Sequence, residues 1–234
     1  MANYLKEYGQ PLVYKLIQPL IDFLVKTKVT PNAITVIGFG LNIVATCIFI
    51  YGAEFKRSDF HPIFWGSITI LFAGLFDMID GRLARVSKQE SVYGALFDSV
   101  IDRYSELIMF LGICYYLVAQ HYFFSSVFAF VAMIGSLMVS YVRARAESLG
   151  IQCASGLMQR PERILLISLS GILCGIIEMS VGTFKYTFNN YSFPIFENIT
   201  IFTFPIFVLA ILTNITALQR LFDSKIALEK STKK

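Results

Sequence analysis

Asp77-Met-Ile-Asp-Gly-Arg-Leu-Ala-Arg85, followed after eight residues by Gly94-Ala-Leu-Phe-Asp98-Ser-Val-Ile-Asp102, places four carboxylates in segments that otherwise read as membrane-spanning helix. An acidic side chain at the centre of a spanning helix costs about 2.5 to 3.5 kcal/mol on insertion scales, so four of them need a compensating partner. A divalent cation is the natural one. Asp77 and Asp80 are three residues apart and Asp98 and Asp102 four apart, so each pair lies on one face of its helix. The short connecting loop makes the two helices antiparallel neighbours with facing acids, and Gly94 is expected to let them approach closely. Hard oxygen donors suit Mg²⁺ or Mn²⁺ better than a soft-ligand metal, and Mg²⁺ usually shares its shell with phosphates supplied by a ligand.

The rest of the chain supports a membrane setting. Of its 234 residues 56% are hydrophobic, with a mean hydropathy of +0.63, above the roughly 45 to 50% apolar usage of a soluble domain. Apolar runs near the ~20 residues that a bilayer helix needs occur at Asn32 to Tyr51, Pro62 to Ile79, Val92 to Ala119, Tyr122 to Val142, Ile164 to Val181 and Ile199 to Leu218. The expected fold is therefore all-α and integral to the membrane, a single domain over residues 1–234. It comprises a juxtamembrane amphipathic helix in 1–29, a core of six transmembrane helices in 30–222 and a basic tail in 223–234. No short apolar core follows a basic start, so a removable signal peptide is not expected.

Before the first span, Leu12, Val13, Leu16, Ile17, Leu20, Ile21, Leu24 and Val25 recur as doublets every four residues, with Lys15, Asp22 and Lys26 between them. That pattern fits a helix lying on the membrane surface, with a kink expected at Pro19. Thr30 and Pro31 read as cap and first-turn proline of the first span. If Lys56, Arg57 and Lys185 lie outside, the other 17 of the 20 Lys and Arg fall on the opposite side. Positive-inside bias then places both termini, the loop 81–91 and the loop 143–163 in the cytoplasm. The net charge of +4 is accounted for by this bias and by anionic lipid headgroups, so no nucleic-acid partner is implied.

Cys47, Cys114, Cys153 and Cys174 lack CxxC spacing and suggest neither a disulfide framework nor zinc. His61 and His121 read as interfacial residues remote from the acids. The segment 182–198 reads as an external loop, and Asn198-Ile-Thr200 matches a glycosylation sequon, a pattern common by chance.

Around the acids, Gly81 and Ala84 leave room for a flat ligand against the backbone, while Arg82 and Arg85 offer charge for phosphate oxygens. Read as Asp-x2-Asp-Gly-x2-Ala-Arg-x8-Gly-x3-Asp-x3-Asp, residues 77–102 match all eight fixed positions of a known signature and resemble the CDP-alcohol phosphotransferase (CDP-alcohol phosphatidyltransferase) family. The resemblance extends more loosely to the six spans, the surface helix and Thr30-Pro-Asn32. It implies a phospholipid-synthesising transferase that takes CDP-diacylglycerol as donor and releases CMP. By the same resemblance Asp77, Asp80 and Asp98 hold one or two Mg²⁺ or Mn²⁺ ions against the diphosphate, and Asp102 touches the metal site and acts as general base. Asn32, Gly81, Arg82, Ala84, Arg85 and Gly94 then border the nucleotide.

Ser140-Tyr-Val-Arg143, Gly156-Leu-Met-Gln-Arg160-Pro-Glu-Arg163 and Arg220 are similar to the branch that makes phosphatidylinositol phosphate or its archaeal ether-lipid counterpart. Inositol 1-phosphate is the implied acceptor, its phosphate held by Ser140, Arg143, Arg160, Arg163 and Arg220. Arg143 stands where some members carry lysine, which keeps the charge and changes the contact geometry. The bland alternative has these arginines serving the positive-inside rule or pairing with Glu147 and Glu162. Glycerol 3-phosphate would suit the same charges, making phosphatidylglycerophosphate synthesis the second reading. A cation transporter is the reading from another class, disfavoured because no later helix supplies acids to continue a path. The resemblance also implies a homodimer, for which Gly112, Tyr115 and Tyr116 are candidate contact residues.

Overall fold

A computed structural model of the chain describes residues 10–55, 59–152, 156, 158–187 and 194–232. The first nine residues of the expected surface helix, Lys56, Arg57, Cys153, Lys233 and Lys234 lie outside the described residues. Seven helices account for nearly all of the rest: α1 (Gln10–Lys26), α2 (Pro31–Phe55), α3 (His61–Val86), α4 (Val92–Ala119), α5 (Phe123–Ser148), α6 (Arg160–Val181) and α7 (Thr200–Thr232). Helix α2 opens at Pro31 as expected, and α1 continues as one helix through Pro19.

Five of these helices, α2, α3, α5, α6 and α7, are long and apolar enough to cross a membrane. Helix α4 has the length, 28 residues, but Asp98, Asp102, Arg103 and Glu106 crowd its N-terminal half and shorten its apolar run. Its place in the bundle is nevertheless full. The helices close a ring in which α2 packs on α3, α3 on α6, α6 on α7, α7 on α5, α5 on α4 and α4 back on α2.

That order corrects one expectation. Helices α3 and α4, joined by a short loop, do not pack along each other; α2 contacts both and holds them apart. Two acid-bearing faces pressed together would crowd four carboxylates in low dielectric, and the ring leaves a cleft between them instead. Small residues bring α2 close to each neighbour: a Cβ on Gly38 would lie 3.2 Å from Phe76 Cβ on α3, and one on Gly112 of α4 would lie 2.9 Å from Thr46 Cα.

The apolar core occupies the end of the bundle away from the acids. Phe49, Tyr116 and Phe202 meet there as aromatic pairs, with ring centroids 5.9 Å apart for Phe49–Tyr116 and 6.4 Å for Phe49–Phe202. Tyr116 is fully buried and its hydroxyl donates to the Asp59 carbonyl at 2.9 Å. Gly112 and Tyr116 therefore serve the packing of the chain itself, which removes them as candidate dimer contacts; Tyr115 remains half-exposed, its hydroxyl on Glu54.

At the same end the segment expected as a loop contains an antiparallel hairpin, β1 (Lys185–Thr187) with β2 (Pro194–Glu197). Asn198 of the sequon match is 1% exposed; its Oδ1 accepts the Phe184 N–H at 2.8 Å and its Nδ2 donates to the Gly182 carbonyl at 3.0 Å. It is a structural residue. His61 pairs with Asp59, and the Glu178 carboxylate accepts the Phe60 N–H, so these groups satisfy the start of α3.

At the acid-bearing end, α1 lies against α3. Ile21 is fully buried with Ile34, Ile79 and Leu83 in a small second apolar cluster, and Arg82 Nη2 donates to Gln18 Oε1 at 2.9 Å.

Candidate active site

The cleft between α3 and α4 opens into two cavities, and Asp98 lines both. The first, of about 220 Å³, is bordered by Asn32, Thr35, Asp80, Gly81, Ala84, Gly94 and the loop residues Gln89 and Glu90. Its floor is small because the sequence supplies no side chain beyond Cβ at positions 81, 84 and 94. At Gly94 the space is specific: an added Cβ would lie 2.9 Å from Ser91 Oγ, which accepts the Gly94 N–H to cap α4, and 3.5 Å from Asn32 Oδ1. Gly94 thus spaces α4 from α2, not from α3 as expected.

Arg82 and Arg85 do not border this cavity. Arg82 turns to Gln18 on α1, and Arg85 Nε donates to the Gly81 carbonyl at 2.9 Å. Thr35 is the residue sequence reasoning missed: its buried hydroxyl donates to Asp80 Oδ2 at 2.7 Å and fixes that carboxylate. The signal was available, since Thr35 lies three residues after Asn32 on one helix face.

The second cavity, of about 340 Å³, collects Ser140, Arg143, Arg160, Arg163 and Arg220 beside Asp98 and Asp102. All five residues named from sequence for the acceptor phosphate border it, but their guanidinium groups are differently engaged. Arg143 is half-exposed and donates from Nε to Glu147 Oε1 at 2.8 Å, the pairing that the bland alternative foresaw. Arg220 is buried, with Nη1 on the Val139 carbonyl at 2.9 Å. Arg163 is 1% exposed and held on two sides: Nε and Nη2 meet the two Glu106 oxygens at 2.8 and 3.1 Å, and Nη1 reaches the Met158 carbonyl at 2.8 Å. Those bonds occupy its fork, so Arg163 braces the cavity wall and the segment before α6. Its partner is Glu106, not Glu147 or Glu162. Asp98, Asp102 and Glu106 recur every four residues, a stripe that made the third acid legible too.

Arg160 joins the two sides of the cleft. Its Nη1 lies 2.7 Å from Asp77 Oδ2 and 2.7 Å from Asp102 Oδ1, so one cationic nitrogen bridges α3 and α4. The backbone that carries it is well fixed, because Gln159 and Glu162 form a reciprocal capping box and Pro161 sits in the first turn of α6.

Residues 28–213 match the model of the family CDP-alcohol phosphatidyltransferase. The chain belongs to that family. Phosphatidylinositol phosphate synthase of Corynebacterium glutamicum is 33% identical over 176 residues, 74% of this chain and 75% of the relative. Archaetidylinositol phosphate synthase of Methanothermobacter thermautotrophicus is 33% identical over 168 residues, 72% of this chain and 77% of the relative. In three dimensions the chain resembles the crystal structure of Mycobacterium tuberculosis phosphatidylinositol phosphate synthase with CDP-DAG bound, with a TM-score of 0.69 at 24% identity over 90% of this chain and 94% of that one. The same enzyme in complex with manganese and citrate also gives 0.69, covering 88% of this chain and 87% of that one. At that identity the structural likeness speaks to fold.

As a member of this family the chain is a transferase that uses a divalent ion, Mg²⁺ or Mn²⁺. The residues present fit such an ion. Arg160 shows that a cationic atom placed in the cleft reaches carboxylates of both helices at once, and a set of aspartate oxygens is the donor chemistry these hard ions take.

Proposed function

We propose that the protein transfers the phosphatidyl group of CDP-diacylglycerol to inositol 1-phosphate, giving phosphatidylinositol phosphate and CMP. The carrying observation is the pair of cavities that meet at Asp98, one floored by small residues and the other ringed by arginines. The names of the relatives from Corynebacterium and Methanothermobacter support the same acceptor.

In this reading the cytidine lies on Gly81, Ala84 and Gly94 beside Asn32, with the acyl tails in lipid. Asp77, Asp80 and Asp98 hold one or two Mg²⁺ or Mn²⁺ ions, Asp102 contributing from α4. A bound ion supplies neutralisation of the diphosphate and of the departing CMP. Thr35 keeps the Asp80 carboxylate turned toward the cleft. In the second cavity Arg143, Arg160 and Arg220, with Ser140, take the acceptor's phosphate, and Arg163 acts on the site by bracing its wall. Asp102, on the boundary, accepts the proton of the acceptor hydroxyl as that oxygen bonds to the phosphorus bearing diacylglycerol and the bond to CMP breaks. Arg82 and Arg85 lie outside the first cavity, and a part in donor binding requires their side chains to turn toward it.

The membrane placement follows from the same reading. Helix α4 brings the number of transmembrane helices to six, its charged half lining the cleft and its apolar half completing the span, and α1 is an amphipathic helix on the cytoplasmic surface. The acid-bearing end, both termini and the tail 223–234 face the cytoplasm, within one domain over 1–234 whose core is 30–222. The active form is a homodimer. Incubating the purified protein with CDP-diacylglycerol, Mg²⁺ and, in turn, inositol 1-phosphate, inositol, glycerol 3-phosphate and serine tests the acceptor. CMP release and lipid product should be fastest with inositol 1-phosphate; faster turnover with glycerol 3-phosphate makes phosphatidylglycerophosphate the product instead.

A further inference from the structure

Arg160 belongs to two places at once. Its Nη1 bridges Asp77 and Asp102 at 2.7 Å each, yet its side chain is also part of the wall of the arginine-ringed cavity. The seat between the carboxylates is incomplete, because Arg160 Nε is buried with no hydrogen-bond partner among the described residues. Arg163, one helical turn on, is the opposite case, its fork filled by Glu106 and the Met158 carbonyl. One of the two arginines is anchored. The other sits between carboxylates that the proposed function assigns to the divalent ion.

We propose that Arg160 and the divalent ion compete for the carboxylates of Asp77 and Asp102, so that metal binding releases the Arg160 guanidinium into the second cavity, where it takes the acceptor's phosphate. The inference rests on the reading of that cavity as the acceptor site. Two cations cannot share these oxygens without strong mutual repulsion, and at equal distance a doubly charged ion is drawn to them twice as strongly as a singly charged guanidinium. The capping box fixes the Arg160 backbone, so the exchange needs only its side chain to turn from the carboxylates toward the second cavity, which it already borders. The consequence is an order of events. The acceptor pocket gains a cation only after the ion has neutralised the acids, so a phosphorylated alcohol is not captured beside uncompensated carboxylates. Arg160 is the residue through which the metal site and the acceptor site are coupled.

The wild-type protein itself supplies the first test. Phenylglyoxal modifies accessible arginine side chains, and peptide mass spectrometry locates the adducts. Saturating Mn²⁺ should raise labelling of Arg160 several-fold and leave Arg163 unchanged; labelling of Arg160 that does not respond to Mn²⁺ overturns the exchange. The second test compares inositol 1-phosphate binding by wild type and Arg160→Gln, each with and without Mn²⁺. The two should bind alike without the ion and differ about tenfold or more with it. An equal difference in both conditions means that Arg160 faces the phosphate, or does not, regardless of metal, and overturns the coupling. If wild type with Mn²⁺ binds no inositol 1-phosphate, the acceptor reading fails, while metal-dependent labelling of Arg160 still upholds the exchange.

Discussion

At the scale of single residues, the four aspartates are alike in type and differ in neighbours. Asp80 is turned by Thr35, Asp77 and Asp102 reach one cation from opposite helices, and Asp102 alone of that pair also borders the arginine-ringed cavity. Substitutions should therefore divide by role. Asp77→Asn is expected to weaken Mn²⁺ binding and abolish transfer, whereas Asp102→Asn should keep more of the metal affinity and lose about 10²- to 10⁴-fold in kcat, the range of a positioned general base. Mn²⁺ titration and turnover on the same preparations check this, and a fully active Asp102→Asn protein removes Asp102 as the base. The buried pair Glu106–Arg163 behaves differently. Removing only the carboxylate in Glu106→Gln strands a buried guanidinium and should cost about 3 to 5 kcal/mol. The double variant Glu106→Leu with Arg163→Met should lose less than the single in thermal unfolding, since no charge is left without a partner.

At the scale of elements, the sequence was legible where the physics is local. The number and order of the apolar helices, the proline opening of α2 and the i, i+3 and i, i+4 placement of the acids follow from periodicity and capping, whereas helix ends beyond the apolar runs did not: α3 continues past Ile79 to Val86 and α7 past Leu218 to Thr232. The adjacency of α3 and α4 did not follow. A short loop fixes how far apart two helix ends are, but the packing of Gly38 on α3 and Gly112 against α2 decides which helix fills the space between them. The partner of Arg163 was likewise hidden, because Glu106 lies 57 residues away. Arg82 and Arg85 illustrate the same limit: proximity in sequence to the acids set them on the right helix, but the groups they bond, Gln18 on α1 for Arg82 and the Gly81 carbonyl for Arg85, show only in the fold. Helix α1 gains a purpose from this level. Through Ile21 and Gln18 it is fastened to the stretch of α3 that carries Asp80 and Arg82. Ile21→Ala should cost about 2 to 5 kcal/mol of local packing and speed amide exchange along α1 and the end of α3 more than along α5, a pattern that hydrogen exchange resolves directly. Unchanged exchange in α1 would contradict a fastening role.

At the scale of the whole molecule, the ring of helices separates two tasks. One end carries the aromatic core and a hairpin; the other keeps a polar cleft open between α3 and α4. Helix α7, at 33 residues, is about 50 Å long, well beyond the ~30 Å of a hydrocarbon core, and it carries Arg220 to the arginine-ringed cavity. The family signature and the acids were readable in one stretch of 26 residues, 77–102, whereas the second cavity draws on α4, α5, α6 and α7 and exists only once the ring closes. On the proposed function, these two cavities serve different substrates across a shared acidic boundary. Two-substrate steady-state kinetics on a variant from each cavity tests it most directly. Ala84→Phe, in the first, should raise KM for CDP-diacylglycerol about tenfold or more with little change for inositol 1-phosphate, and Arg143→Ala, in the second, should do the reverse. If either variant raises both KM values alike, the cavities do not divide the substrates and the account is wrong.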